Sequence, residues 1–456
     1  MCKTSLVAGV AMAAMLAGVS GAFAQTAVTQ SNTNNNTVTQ STGQSVDING
    51  SLSGAGSSAS ISATGAASSV SVLGIGADYV TPAGGFGNIS QTSSNNGVVV
   101  NGGGTVDVSS TISGAGASAS VSASGAVSAV SVTGIGSNTF SDVDLSSITQ
   151  NATNNADVTN GSNRSSRISA TGLTGLGAAA SVSATGAASS VANTRAQPGS
   201  GGDLSVANIS QRTTLTTGSD VSNFGAFSNA SPLAVSGAGA SASISALGAV
   251  SSVSSSHIGA AEIDNLSIGN IGQTTTNSGG AVRNNHQGTS RNAGGVLNVG
   301  AISGNGASVS VSATGAASSV SVTSINSSGI NGTPSITMGL ITQRTQNDGV
   351  VTNGGVGSNG TTIARHTISA GTINGRGASA SIGATGAVSS VAVTSINEAQ
   401  AFGSPTIGAV NQASLNNAAV TNRAATINTG SISGAGASVS ISAVGAASAV
   451  SLSSIN

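Results

Sequence analysis

The sequence predicts an all-β repeat fold, a β-solenoid or cross-β stack of seven units of ~60 residues each. Three observations predict it. A small-residue block, typified by residues 112–132, recurs seven times without a gap. A polar block alternates with it and carries one glutamine at a fixed place: Gln30, Gln91, Gln150, Gln211, Gln273, Gln343 and Gln412. The chain of 456 residues has 2% aromatic and 5% charged residues and no Trp. An ordinary core buries large side chains against chain entropy. Here hydrogen-bonded backbone in stacked layers, with Val and Ile at fixed places, has to take that role. Disorder goes with high net charge and few β-branched residues, whereas the net charge here is −1.

The first segment reads as a signal peptide over residues 1–24. Lys3 supplies a positive start, Leu6 to Val19 is apolar, and Ala22-Phe23-Ala24 is a small-x-small cleavage site. The apolar run is too short to span a membrane comfortably. No later stretch is long and apolar enough, so the mature chain is expected to have no integral membrane segment. Cys2 and Lys3 leave with the signal, which excludes disulfides from the mature protein. Near-zero net charge offers nothing for nucleic acid to bind.

One repeat domain is expected over residues 25–456, with units at approximately 25–76, 77–136, 137–195, 196–259, 260–326, 327–397 and 398–456. Each opens with a polar unit such as Val28-Thr29-Gln30, Asn34-Asn35, Val38-Thr39-Gln40. Alternation of Val or Ile with Thr or Ser suggests strands, and Asn suits the turn because it tolerates positive φ. The unit is expected to be hairpin-like. Stacked in register, the seven glutamines and the closing amides Asn101, Asn160, Asn353 and Asn422 would form structural ladders.

The small-residue unit follows. A tight turn is expected at Gly65, Gly125, Gly186, Gly248, Gly315, Gly386 and Gly445, each followed by Ala. Ala59, Ile61 and Ala63 share one strand face, and Val70 and Val72 another, with Ser60, Ser62, Ser69 and Ser71 opposite. The small apolar faces are expected to pack together. Gly-x-Gly precedes them in every copy, as Gly54 and Gly56 or Gly237 and Gly239. Seven copies with no helical pattern after them point to bends, not to a phosphate-binding loop. Two layers per repeat at ~4.8 Å would make a body of about 70 Å. The alternative geometry is a seven-bladed β-propeller, which would ordinarily use bulkier packing.

From each of these glycines to the next ladder Gln the distance is 25 to 28 residues, and from Gln to the next such glycine it is 33 to 43. Insertions therefore gather on one stretch, which in a stacked fold marks one face. The longest carry the candidate contact residues Arg283, His286, Arg291, Arg365 and His366.

The polar unit from Asp144 through Ile148, Gln150, Asn154, Asn155 and Val158 to Asn160 resembles the curlin repeat of bacterial functional amyloids. In that likeness Gln150 and Asn160 occupy the ladder positions and Asn155 the turn-side position. The turn lacks the family's glycines, the closing amide is usually Asn, and the repeat is longer. The resemblance implies secretion through an outer-membrane pore, a nucleator, extracellular self-assembly into a homopolymer, and a place in biofilm or adhesion.

No catalytic constellation emerges, so the protein is expected not to be an enzyme and to need no cofactor or metal. His257, His286 and His366 occupy unrelated repeat positions. Asp142 and Asp144 suit a charged strand edge better than a glycosidase pair. Asp47-Ile48-Asn49-Gly50 lacks the distal Glu of a calcium loop. Arg164 and Arg167 add solubility. The array starts and stops at unit boundaries, so open layer edges are expected to drive polymerisation. The expected role is a secreted fibre or surface-matrix protein. The alternative is a monomeric solenoid adhesin, binding glycans or ice through its variable loops.

Overall fold

The structure, a computed structural model, describes residues 27–40, 45–48, 53, 55–56, 58–75, 87–102, 105–112, 115, 118–136, 143–161, 167–173, 176, 179–197, 202–223, 233–236, 238–260, 263–284, 296–303, 305–327, 335–353, 366–370, 376–398, 406–422, 425–429, 433 and 435–455. Among them every regular element is a strand, and every pairing between strands is parallel and joins one repeat to the next. The strands form four sheets. The first runs from Val28–Asn34 through Ile89–Asn95, Val143–Asn154, Gly202–Leu215 and Ile263–Asn277 to Ile341–Asn347 and Val410–Asn416. The second has seven short strands, from Val38–Gln40 to Val420–Asn422. The third runs from Ser45–Ile48 to Ala425–Thr429, and the fourth, of small residues, from Ser58–Ala67 to Ser438–Ile455.

This parallel layering matches a β-solenoid and not a propeller, whose blades are separate sheets around a channel. Two expectations change with it. The two strands of a polar unit do not pair with each other: Val28–Asn34 lies in the first sheet and Val38–Gln40 in the second. The Asn-rich segment is therefore a corner, not a hairpin turn. Each repeat also contributes one layer instead of two, so a seven-stranded sheet at ~4.8 Å per strand is about 29 Å tall.

The turn assigned to Gly65, Gly125, Gly186, Gly248, Gly315, Gly386 and Gly445 is also corrected. All seven lie inside strands, Gly186 for example within Ala179–Gln197. None is among the glycines with positive φ. Left-handed backbone falls instead on the second glycine of Gly-x-Gly, at Gly56, Gly239, Gly306, Gly377 and Gly436, with φ of 65 to 71°. There a residue with a Cβ would be strained. The first repeat bends just after its in-strand glycine, at Ser68-Ser69, where Ser69 has φ 38°.

The alanine after each in-strand glycine has a packing reason. Ala66, Ala126, Ala187, Ala249, Ala316 and Ala387 form one buried cluster with Val99, Val158, Val221, Val282 and Val351 of the second sheet. A methyl group at each layer lets the fourth sheet approach the valine column closely, as interior packing density demands. A column of isoleucines, Ile89, Ile148, Ile209, Ile271 and Ile341, is buried at 0–1% exposure in the first sheet.

Candidate functional site: amide columns and terminal layers

The inward face of the first sheet reads Ile, Gln, a small residue, Asn, as in the buried positions of Ile89–Asn95. Parallel register stacks like on like, so Gln30, Gln91, Gln150, Gln211, Gln273, Gln343 and Gln412 stand in one column. Each of the six after Gln30 donates from Nε2 to the Oε1 of the glutamine one layer earlier, at 2.8–2.9 Å. The fourth sheet completes the shell. Thr133, Thr194, Ser256 and Thr323 donate to Oε1 of the glutamine in their own layer, at 2.7–3.2 Å. The second N–H of Gln150 goes to the Asn193 carbonyl at 2.9 Å, and that of Gln211 to the Ser255 carbonyl at 2.8 Å.

The buried face of the fourth sheet after its bend is thus hydroxyl-bearing: Ser71, Ser131, Thr133, Thr194, Ser254, Ser256, Ser321 and Thr323 are all within it. The strand face expected to lie opposite the packed apolar one is therefore itself buried at those serines and threonines. A buried amide needs partners, and hydroxyls at two-residue spacing supply them.

A second column at the end of the strand holds Asn34, Asn95 and Asn154, then Asn277, Asn347 and Asn416, with Nδ2 donating to the next layer's Oδ1 at 2.7–2.9 Å. The other N–H of these residues caps the corner, donating for example to the carbonyls of Gly97, Gly280, Gly349 and Ala418. Leu215 interrupts the column and is fully buried in the Ala–Val cluster. The closing column runs Asn101, Asn160, Asn223, Asn284, Asn353, Asn422 in bonds of 2.7–2.9 Å. Asn223 and Asn284 are absent from the sequence reading. Their signal is the shared spacing of Val221-Ser222-Asn223 and Val282-Arg283-Asn284.

Of the candidate contact residues the structure describes Arg283 and His366, which lie in different sheets. Arg283 lies in the second sheet and pairs with Asp220, both partly exposed, while Asp220 also accepts from the Ala281 N–H at 2.9 Å. Arg283 therefore ties two layers together at the surface. His366 opens a strand of the third sheet beside Ala425, and His257 lies in register with Arg195 and Ser324. His286, Arg291 and Arg365 lie outside the described residues, as do Asp142, Arg164 and Asn49-Gly50. Among the described residues no group of three His, Cys, Asp or Glu side chains could hold a metal, and no helix is long and apolar enough to cross a membrane. Exposed ion pairs contribute little, so Arg283→Ala is expected to lower stability by less than about 1 kcal/mol, as read by urea unfolding.

The terminal layers differ from the interior ones. Val28–Asn34 and Val410–Asn416 show half-buried and exposed positions in alternation, whereas Ile89–Asn95 has the same inward positions fully buried. Among the described residues each of these two strands pairs on one side only. No protein-family model, curated protein or solved structure matches this chain.

Proposed function

We propose that this protein is an exported structural subunit that self-assembles into extracellular fibres or a surface matrix, built as a seven-layer β-solenoid. The observation that carries the reading is the pair of half-covered terminal strands bearing the same columns as the interior. A strand edge with unmet backbone groups is a template for another strand, and a layer that already stacks like on like accepts one more layer of its own kind. The apolar leader with its small-x-small site supports export. The columns of amides and hydroxyls suit a scaffold, because they fix the register of one layer on the next.

Electron microscopy and fibre diffraction of the purified protein test this. Unbranched fibres with a meridional reflection near ~4.8 Å along the fibre axis, seeded by sonicated fragments, are expected. A monomer that persists at high concentration overturns the proposal.

A further inference from the structure

The amide columns have a direction, and the direction is fixed by chemistry. In the glutamine column every Nε2 donates toward the first layer. Reversing one amide would set its oxygen against the carbonyls of Asn193 or Ser255, which accept the second N–H at Gln150 and Gln211. Both asparagine columns run the other way, donating toward the last layer. In the strand-end column a main-chain carbonyl, such as that of Gly349 or Ala418, holds the orientation.

The two ends of the stack therefore carry opposite codes. The first layer continues the glutamine column with a donor and the asparagine column with an acceptor, and the last layer does the reverse. The backbone agrees. The Val28 N–H bonds to the Asn88 carbonyl, so in an extended strand the Thr29 N–H faces away from the body. The Ala409 carbonyl accepts from Ile341, so the N–H of Val410, across the same trans peptide, faces away at the other end.

We infer that the last layer of one copy docks on the first layer of a second copy in a single polar register, with Val410 over Val28, Gln412 over Gln30, Asn416 over Asn34 and Ala446 over Ala66. This continues every column as the interior pairings do. Joining two first layers or two last layers opposes donor to donor or acceptor to acceptor and sets the strands antiparallel, out of column. The inference rests on the self-assembly reading and adds its polarity and register.

End-blocked chains test it. Thr29→Pro removes an outward N–H at one end and Val410→Pro one at the other, both at edge or strand-start positions where proline leaves the inner ladder intact. By sedimentation velocity each variant alone is expected to stay monomeric, and an equal mixture to give a two-chain species that grows no further. Dimers of either variant alone overturn the inference, as does a monomeric mixture when the unaltered protein polymerises. An unaltered protein that never polymerises instead sinks the self-assembly reading, and the joint with it. Should circular dichroism show a proline variant unfolded, crosslinking decides. Ser31 and Ala413 are exposed members of one column. In a Cys2→Ser background, co-assembled Ser31→Cys and Ala413→Cys chains should give heterologous crosslinks with a short bismaleimide. Predominantly homologous crosslinks overturn the joint.

Discussion

Gln211→Ala is expected to cost roughly 3–6 kcal/mol, because it leaves two or three buried polar groups unpaired at about 1–3 kcal/mol each. Gln211 lies mid-stack at 1% exposure. Its Nε2 reaches Gln150 Oε1 at 2.9 Å and the Ser255 carbonyl at 2.8 Å, and its Oε1 accepts from Gln273 at 2.8 Å and Ser256 at 3.0 Å. Truncation strands the Ser255 carbonyl and one N–H of Gln273, and opens a void between layers. In a stack held by neighbour contacts, a weak middle layer lowers the coupling between the halves. Urea unfolding below the association concentration reads the loss. Hydrogen exchange should show it at the layers of Gln150 and Gln273 first. A change under about 1 kcal/mol would mean that water satisfies the column and that the ladder is not structural.

The chain itself illustrates the asymmetry behind that expectation. The layer of Gln91 pairs Ser93 with Ser131 at 3.1 Å. One layer on, register puts Ala152 in place of Ser93 and Ala192 in place of Ser131, both fully buried. Losing both partners together leaves nothing unpaired, whereas losing one does.

The period was legible because recurrence at fixed offsets survives any uncertainty about local conformation, and so the Gln30-to-Gln412 column could be read directly. Alternation defines two faces of a strand but not which one turns inward. Ser71 and its counterparts Ser131 and Ser254 looked like the outer face, yet they are buried, bonded to Asn32, to Ser93 and to Thr213 and Thr275 of the first sheet. The in-strand glycines misled for a related reason. Gly186 precedes Ala187, whose methyl packs against the valine column, and small size at a close approach leaves the same trace in sequence as a turn. The corner at Leu215 was invisible, since an asparagine column gives no sign of where it tolerates a leucine until the longer corner beside it is seen.

That corner supplies the second large effect. The segment between the first and second sheets has five residues after Leu215, four after Asn277 and three after Asn347. Gly280 sits where these unequal corners stack. Its N–H bonds to Asn277 Oδ1 at 2.9 Å and its carbonyl accepts from Asn277 Nδ2 at 2.7 Å. A Cβ there would lie 2.0 Å from the Ser219 carbonyl oxygen and 2.7 Å from Leu215 Cδ2. The first neighbour is backbone and the second is fully buried, so neither yields without moving a layer. Gly280→Ala is expected to cost about 3 kcal/mol, the upper part of the usual overpacking range. Gly272→Ala is the control: it is a glycine of the adjoining first-sheet strand, with nothing within 4 Å of the added Cβ, and it should unfold at the unaltered midpoint. Equal midpoints for the two variants would mean that the corner rearranges freely and that the layer spacing there is not set by Gly280.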